Sequence, residues 1–130
     1  MPSVRGTFEV ATFPQPAEAD QRFTAVSRLL LDKAFHGPLD ALSRGQMLAI
    51  GGAGGWGVYV AIEKVEGTLD GRRGSFIPYH NGTMTPEDGQ QLAVTVAPQS
   101  GTGELADLAG RMTIDIVDGR HFYTFDYSLG

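Results

Sequence analysis

Between Gly110 and Ser128 the chain reads GRMTIDIVDGRHFYTFDYS, and Asp118-Gly119 at its centre supplies the positive-φ residues that a two-residue hairpin turn needs. With Val117 paired to Arg120, successive cross-strand pairs set Ile116 opposite His121, Ile114 opposite Tyr123, Met112 opposite Phe125 and Gly110 opposite Tyr127, all on one face. The other face carries Thr113, Asp115, Thr124 and an exposed Arg111–Asp126 pair, with Phe122 its one large apolar exception. One face is wet and the other buried, and the buried face holds a histidine and two tyrosines among its aliphatic and aromatic residues.

A chain of 130 residues has room for one domain, spanning 1–130, and for a core that needs no covalent staples. Its net charge of -5 comes from 15 acidic and 10 basic residues spread singly. Nucleic acid and anionic membranes call for clustered Lys and Arg, so neither is expected as a partner. With no cysteine there is no disulfide framework, thiolate nucleophile or zinc–thiolate site. No basic region followed by an apolar stretch opens the chain and no run reaches membrane-span length, so a cytoplasmic protein is expected.

In order, Arg5 to Phe13 reads as a first strand and Pro14 to Asp20 as a polar connection. Arg22 to His36 follows. Ala25 to Ala34 within it also fits a helix, but the abrupt stop at Gly37-Pro38 favours a strand. Leu39 to Ile50, Trp56 to Gly67, Arg73 to Asn81 and Gln91 to Ala97 are further strands, with Gly51 to Gly55 a flexible loop and Asp70-Gly71 a turn. Glu104 to Leu108 is the one expected helical turn, and the terminal hairpin brings the count to eight. Eight short strands without a long crossover indicate an all-β antiparallel meander. It closes into a barrel, filled or holding one small ligand, or splits into a two-sheet sandwich; strand count alone does not separate these.

Pairing Leu69 with Arg72 puts Tyr59, Ala61, Glu63 and Val65 on one face with Phe76, Pro78 and His80, and Val58, Val60, Ile62 and Lys64 on the other with Ile77 and Tyr79. Both faces are partly apolar, so parity does not decide which is inside. The valine and isoleucine face suits an outer wall through which a homodimer forms. Alternate strand directions bring His80, His121 and Tyr59 towards one rim, with Glu63 deeper. The longer connections, Pro14 to Asp20, Gly51 to Gly55 and Gly82 to Gln90, lie at that rim too. This makes it an open mouth, and Pro98 to Gly110 covers the floor.

Gly52 to Gly57 matches GxGxxG in form, but the strand pattern VYVAIEKV follows where the dinucleotide motif needs a helix, so no phosphate site is read there. There is no GxSxG elbow and no HExxH. His36, His80 and His121 are scattered singly, and no metal or other cofactor is expected. Facing inward, Glu63 is a carboxylate in an apolar cavity, its pKa raised by desolvation and suited to acid or base work; facing outward, it is a solvated charge beside Lys64 and Glu66. Glu9 poses the same question.

These residues carry a resemblance that spans nearly the whole chain. Gly6-Thr7-Phe8-Glu9-Val10, Tyr59 with Glu63, Asp70-Gly71-Arg72, His80, Ser100-Gly101-Thr102-Gly103-Glu104-Leu105 and the HxYxxxY of His121, Tyr123 and Tyr127 are similar to domain-of-unknown-function family 3224, a bacterial family. The resemblance implies a closed eight-stranded antiparallel meander barrel like that of allene oxide cyclase, with an apolar cavity that holds a substrate in one conformation; fold does not transfer chemistry. SGTGEL reads equally as a structural closure, with Thr102 or a neighbour capping the short helix, or as a binding loop.

The expected function is binding of a small, largely apolar organic molecule in the barrel, with cofactor-free isomerisation, cyclisation or elimination of it. In that reading Glu63 and His80 form the acid/base pair, while Tyr59, Phe76, Met112, Ile114, His121, Tyr123, Phe125 and Tyr127 contact the substrate. Two alternatives remain: a carrier or sensor that binds a hydrophobic ligand without changing it, and a filled barrel acting only through its dimer surface.

Overall fold

Alternating apolar and polar residues, punctuated by Gly, Asp and Pro turns, make each segment pair antiparallel with its neighbour in sequence. The computed structural model describes residues 2–16 and 26–130. Its strands are β1 (Ser3–Pro14), β2 (Ser27–His36), β3 (Leu39–Gly52), β4 (Trp56–Leu69), β5 (Arg72–Phe76), β6 (Pro78–Thr85), β7 (Gly89–Val96), β8 (Ala109–Val117) and β9 (Arg120–Ser128). The last strand returns to the first, Ser3 opposite Asp126 through Phe8 opposite His121, and the sheet is closed. That closure excludes the sandwich.

β5 and β6 are one broken stave. Both lie along the same edge of β4 in a single register, Val65 with Phe76 and Ile62 with Tyr79, interrupted only at Ile77, beyond which Pro78 has no N–H to give. Counted this way the barrel has eight staves in meander order. The terminal hairpin has Val117 opposite Arg120, the register its Asp-Gly turn requires.

Three expected boundaries move. The Gly51 to Gly55 loop contracts to the turn Ala53–Gly55, because β3 and β4 stay paired as far as Gly52 and Trp56 and the positive φ of Gly54 and Gly55 turns the chain at once. The Gly82 to Gln90 connection contracts to Pro86–Asp88, held by the Asp88 N–H donating to Thr85 Oγ1. The helical turn starts one residue earlier than expected, as a 3₁₀ turn at Gly103–Leu105, with a further bond from the Leu108 N–H to the Leu105 carbonyl. β2 is a strand as expected; residues 22–25 of its expected span, and 17–20 of the connection before it, lie outside the described residues.

The lower half of the barrel is packed solid. Leu39, Leu69, Val65, Phe76, Leu105, Tyr123 and Phe125 are essentially without exposure, and Phe76 stacks on Phe125 at 5.8 Å. SGTGEL seals this end, and it does so without Thr102 capping the 3₁₀ turn by its side chain. Its hydroxyl is taken instead by the Ser75 N–H (3.1 Å) and Ser75 Oγ (2.6 Å), while Ser100 Oγ accepts from the Ile77 N–H and Glu104 Oε1 from the Arg73 N–H. The free edge of β5 is satisfied by three side chains of one loop. Among the described residues no helix is long and apolar enough to cross a membrane.

Candidate functional site

β4 settles the question that parity left open. Tyr59, Ala61, Glu63 and Val65 point inward and Val58, Val60, Ile62 and Lys64 outward, and Glu63 is only 3% exposed. Its side chain has room because Gly45 is its cross-strand partner on β3; a Cβ there would come within 2.7 Å of Glu63 Cγ and overlap the Ile62 carbonyl.

A buried carboxylate needs counter-charge and donors, and three strands supply them. Lys33 Nζ on β2 donates to Glu63 Oε2 at 2.9 Å, Ser43 Oγ on β3 donates to Oε1 at 2.6 Å, and His80 Nε2 on β6 lies 2.5 Å from Oε2. Burial, the largest effect, pushes the Glu63 pKa up; the His80 bond, the Lys33 charge and the Ser43 and Lys33 bonds together outweigh it and lower the pKa to about 2. The raised pKa expected from desolvation alone is therefore corrected, since an inward Glu63 does not stand alone in an apolar cavity.

An ionised Glu63 can only accept, so His80 Nε2 carries a proton and donates it. In the neutral imidazole Nδ1 is then an acceptor, and the Tyr59 hydroxyl donates to it at 3.3 Å. Burial, and secondarily the Glu63 charge, push the Tyr59 pKa up, so at neutral pH the phenol keeps its proton. Its ring lies over Gly82, its cross-strand partner, where any Cβ would overlap it. Beyond Tyr59 the mouth opens as a cavity of about 330 Å³ lined by Met47, Ala49, Tyr59, Gly82, Met84 and Gln90 among others, with no charged side chain among the described residues.

The structure thus brings together Glu63, His80 and Tyr59 and sets the remaining candidates elsewhere. Phe76, Met112 and Phe125 belong to the packed core. The Tyr123 hydroxyl accepts from the Leu39 N–H at 3.0 Å and donates to the His36 carbonyl at 3.0 Å; that of Tyr127 donates to Asp70 at the floor. Ile114 packs on the core edge, and His121 lies against the Phe8 ring at 5.0 Å. Glu9 is on the outer surface, 3.1 Å from His36 Nε2. Among the described residues no three His, Asp or Glu side chains come together as a metal-ligand set.

Lys33 and Ser43 are the members that sequence reasoning missed. The signal for Lys33 was present: it falls in the inward phase of Leu29, Leu31 and Phe35, where an ammonium has no reason to be unless a carboxylate faces it. Ser43, in the inward phase of Leu39 and Ala41, carried a weaker one.

Comparison with known proteins agrees with the barrel and assigns no chemistry. The family model described as "Protein of unknown function (DUF3224)" matches residues 4–127. The crystal structure of a protein with unknown function from the DUF3224 family from Shewanella oneidensis MR-1 is similar to this chain, with 44% sequence identity, a TM-score of 0.90, and coverage of 100% of this chain and 98% of that one. No curated protein matches.

Proposed function

This chain belongs to the DUF3224 family of proteins of unknown function, and from its inner polar row we propose that it binds a small, largely apolar organic molecule at the barrel mouth and rearranges it by proton transfer. The observation that carries the proposal is the unbroken chain of hydrogen bonds from Lys33 and Ser43 through Glu63 and His80 to Tyr59, which ends at the mouth cavity. A volume of about 330 Å³ is at the small end of ligand cavities.

Tyr59 and His80 share the work. The Tyr59 hydroxyl turns from Nδ1 to an oxygen of the ligand and donates to it as negative charge develops there; Nδ1, so released, takes a proton from the ligand. Glu63 stabilises the resulting imidazolium and holds the ring in the tautomer that leaves Nδ1 free. Returning the proton at another atom completes an isomerisation, cyclisation or elimination with no cofactor. The low pKa of Glu63 leaves the proton transfer to His80, with Tyr59 as the hydrogen-bond donor to the ligand and Glu63 as the group that positions His80.

One observation favours a carrier instead. Among the described residues every buried side-chain polar atom already has a partner, so the row is complete without a ligand. Native mass spectrometry of freshly purified protein, followed by turnover of the recovered molecule, separates the readings. For an enzyme, Tyr59→Phe and His80→Asn each lower turnover by about 10²–10⁴ while binding persists. A carrier binds the molecule and returns it unchanged; finding no bound small molecule and no uptake of apolar fragments sinks both.

A further inference from the structure

The outward residues of β4 are Trp56, Val58, Val60 and Ile62, exposed by 47, 39, 50 and 63% before Lys64 ends the row. Leu48 on β3 flanks Val60 and Tyr79 on β6 flanks Ile62, both also exposed. Exposed apolar residues elsewhere, such as Leu42 on β3 and Phe13 on β1, do not extend this row, and the outward positions on β8 are Arg111, Thr113 and Asp115. Single exposed apolar side chains are ordinary, but a contiguous apolar face three strands wide marks a contact surface.

We propose that this face seats a second copy of the same chain, β4 against β4, about a two-fold axis through Val60. Flat faces of β-branched side chains pack on one another about 10 Å apart in aligned sheets, the arrangement this row permits. Charge selects the occupant. Arg44 and Lys64 stand at the floor end of the apolar row, whereas the Pro86–Asp88 turn, with Glu87 and Asp88, stands at the mouth end beside Gly55. The axis through Val60 lays Lys64 of one copy over the Trp56 end of the other, so each cationic end meets an acidic turn, twice over. The existing partners of the two cations, Asp32 at 4.0 Å from Arg44 and Glu66 at 3.3 Å from Lys64, form exposed pairs that exchange readily. A partner carrying one sign of charge fits only one end. A second copy fits both, despite the net charge of -5 that keeps copies apart in other orientations.

Sedimentation of the full chain tests this, with far-UV circular dichroism confirming that each variant is folded. The wild type sediments as two copies at micromolar concentration. Ile62→Glu, and independently Val60→Lys, raises the dissociation constant about a hundredfold or more by burying a charge without a partner. Arg44→Glu with Lys64→Glu weakens pairing, as does Glu87→Lys with Asp88→Lys, and an equimolar mixture of the two double variants restores it. A wild type that stays monomeric at about 100 μM, a dimer indifferent to both Ile62→Glu and Val60→Lys, or charge variants whose mixture fails to pair overturns the proposal.

Discussion

Lys33 Nζ and Glu63 Oε2 lie 2.9 Å apart inside the barrel, reaching past the intervening β3 from β2 and β4, with side chains 8% and 2% exposed. Removing one partner of such a pair strands the other charge in a medium that solvates it poorly, which costs more than the pair contributes when whole. Lys33→Met and Glu63→Gln are each expected to lower the unfolding free energy by about 3–5 kcal/mol, and the double variant by much less than the sum. Urea titrations of the four proteins check this; additive losses would show that the two charges do not act as a pair.

The pH dependence follows from the same centre. The Glu63 pKa falls from 4.5 to about 2 on folding, so its contribution is fully present above pH 4.5 and is lost as pH falls towards 2. The amount is about 3 kcal/mol. On the alkaline side the pKa values of Tyr59 and Tyr123, through burial, and of Tyr127, through its bond to Asp70, are raised above 10.0. Their contributions are present below pH 10.0 and are lost as pH rises beyond it. Urea midpoints measured across pH should form a plateau with both limbs falling, and Glu63→Gln should flatten the acid limb. Parallel acid limbs in wild type and variant would contradict the assignment.

Gly45 and Gly82 leave space for Glu63 and Tyr59, so adding one methyl group tests the site without changing any polar atom. At Gly45 the new Cβ overlaps backbone, the Ile62 carbonyl; at Gly82 it overlaps only the Tyr59 ring, which can swing away. Gly45→Ala should cost about 2–3 kcal/mol and Gly82→Ala about 1 kcal/mol. Gly82→Ala should also lower the alkaline pKa of Tyr59, read by ultraviolet difference titration against Tyr59→Phe. Equal losses at the two positions would show that the ring is not free to move.

Thr102 holds β5 from the floor loop through the Ser75 N–H and Ser75 Oγ. Thr102→Val keeps the shape and removes the acceptor, leaving that backbone N–H unpaired. A loss of about 1–3 kcal/mol is expected, with faster amide exchange confined to β5. Uniform exchange across the barrel would place the closure elsewhere.

Much of this barrel is a local property of its strands. The alternation around Asp118-Gly119 yields the observed pairs of the last hairpin, Ile116 with His121 through Gly110 with Tyr127, and Leu69 opposite Arg72 puts Glu63, Phe76 and His80 on one face. Even the break at Ile77-Pro78 leaves that register intact. The alternation could not say which face of β4 is inside, since Val60 and Ile62 are as apolar as Ala61 and Val65. It also could not supply Glu63 with partners.

Those came from the closed sheet: Lys33 lies 30 residues away in sequence, Ser43 20 and His80 17, and together they reverse the pKa shift that burial alone would produce. Tyr123 shows the same division. Its inward direction is written in its own hairpin, but its engagement with Leu39, 84 residues distant, exists only once β9 has met β1. The sequence by itself determined the strands and which side chains share a face within each hairpin, because alternation depends on neighbours two residues apart, but not which of the two faces of β4 is inside. Only the tertiary structure decided which inward polar groups remain available for chemistry, because availability depends on what the far strands bring to face them.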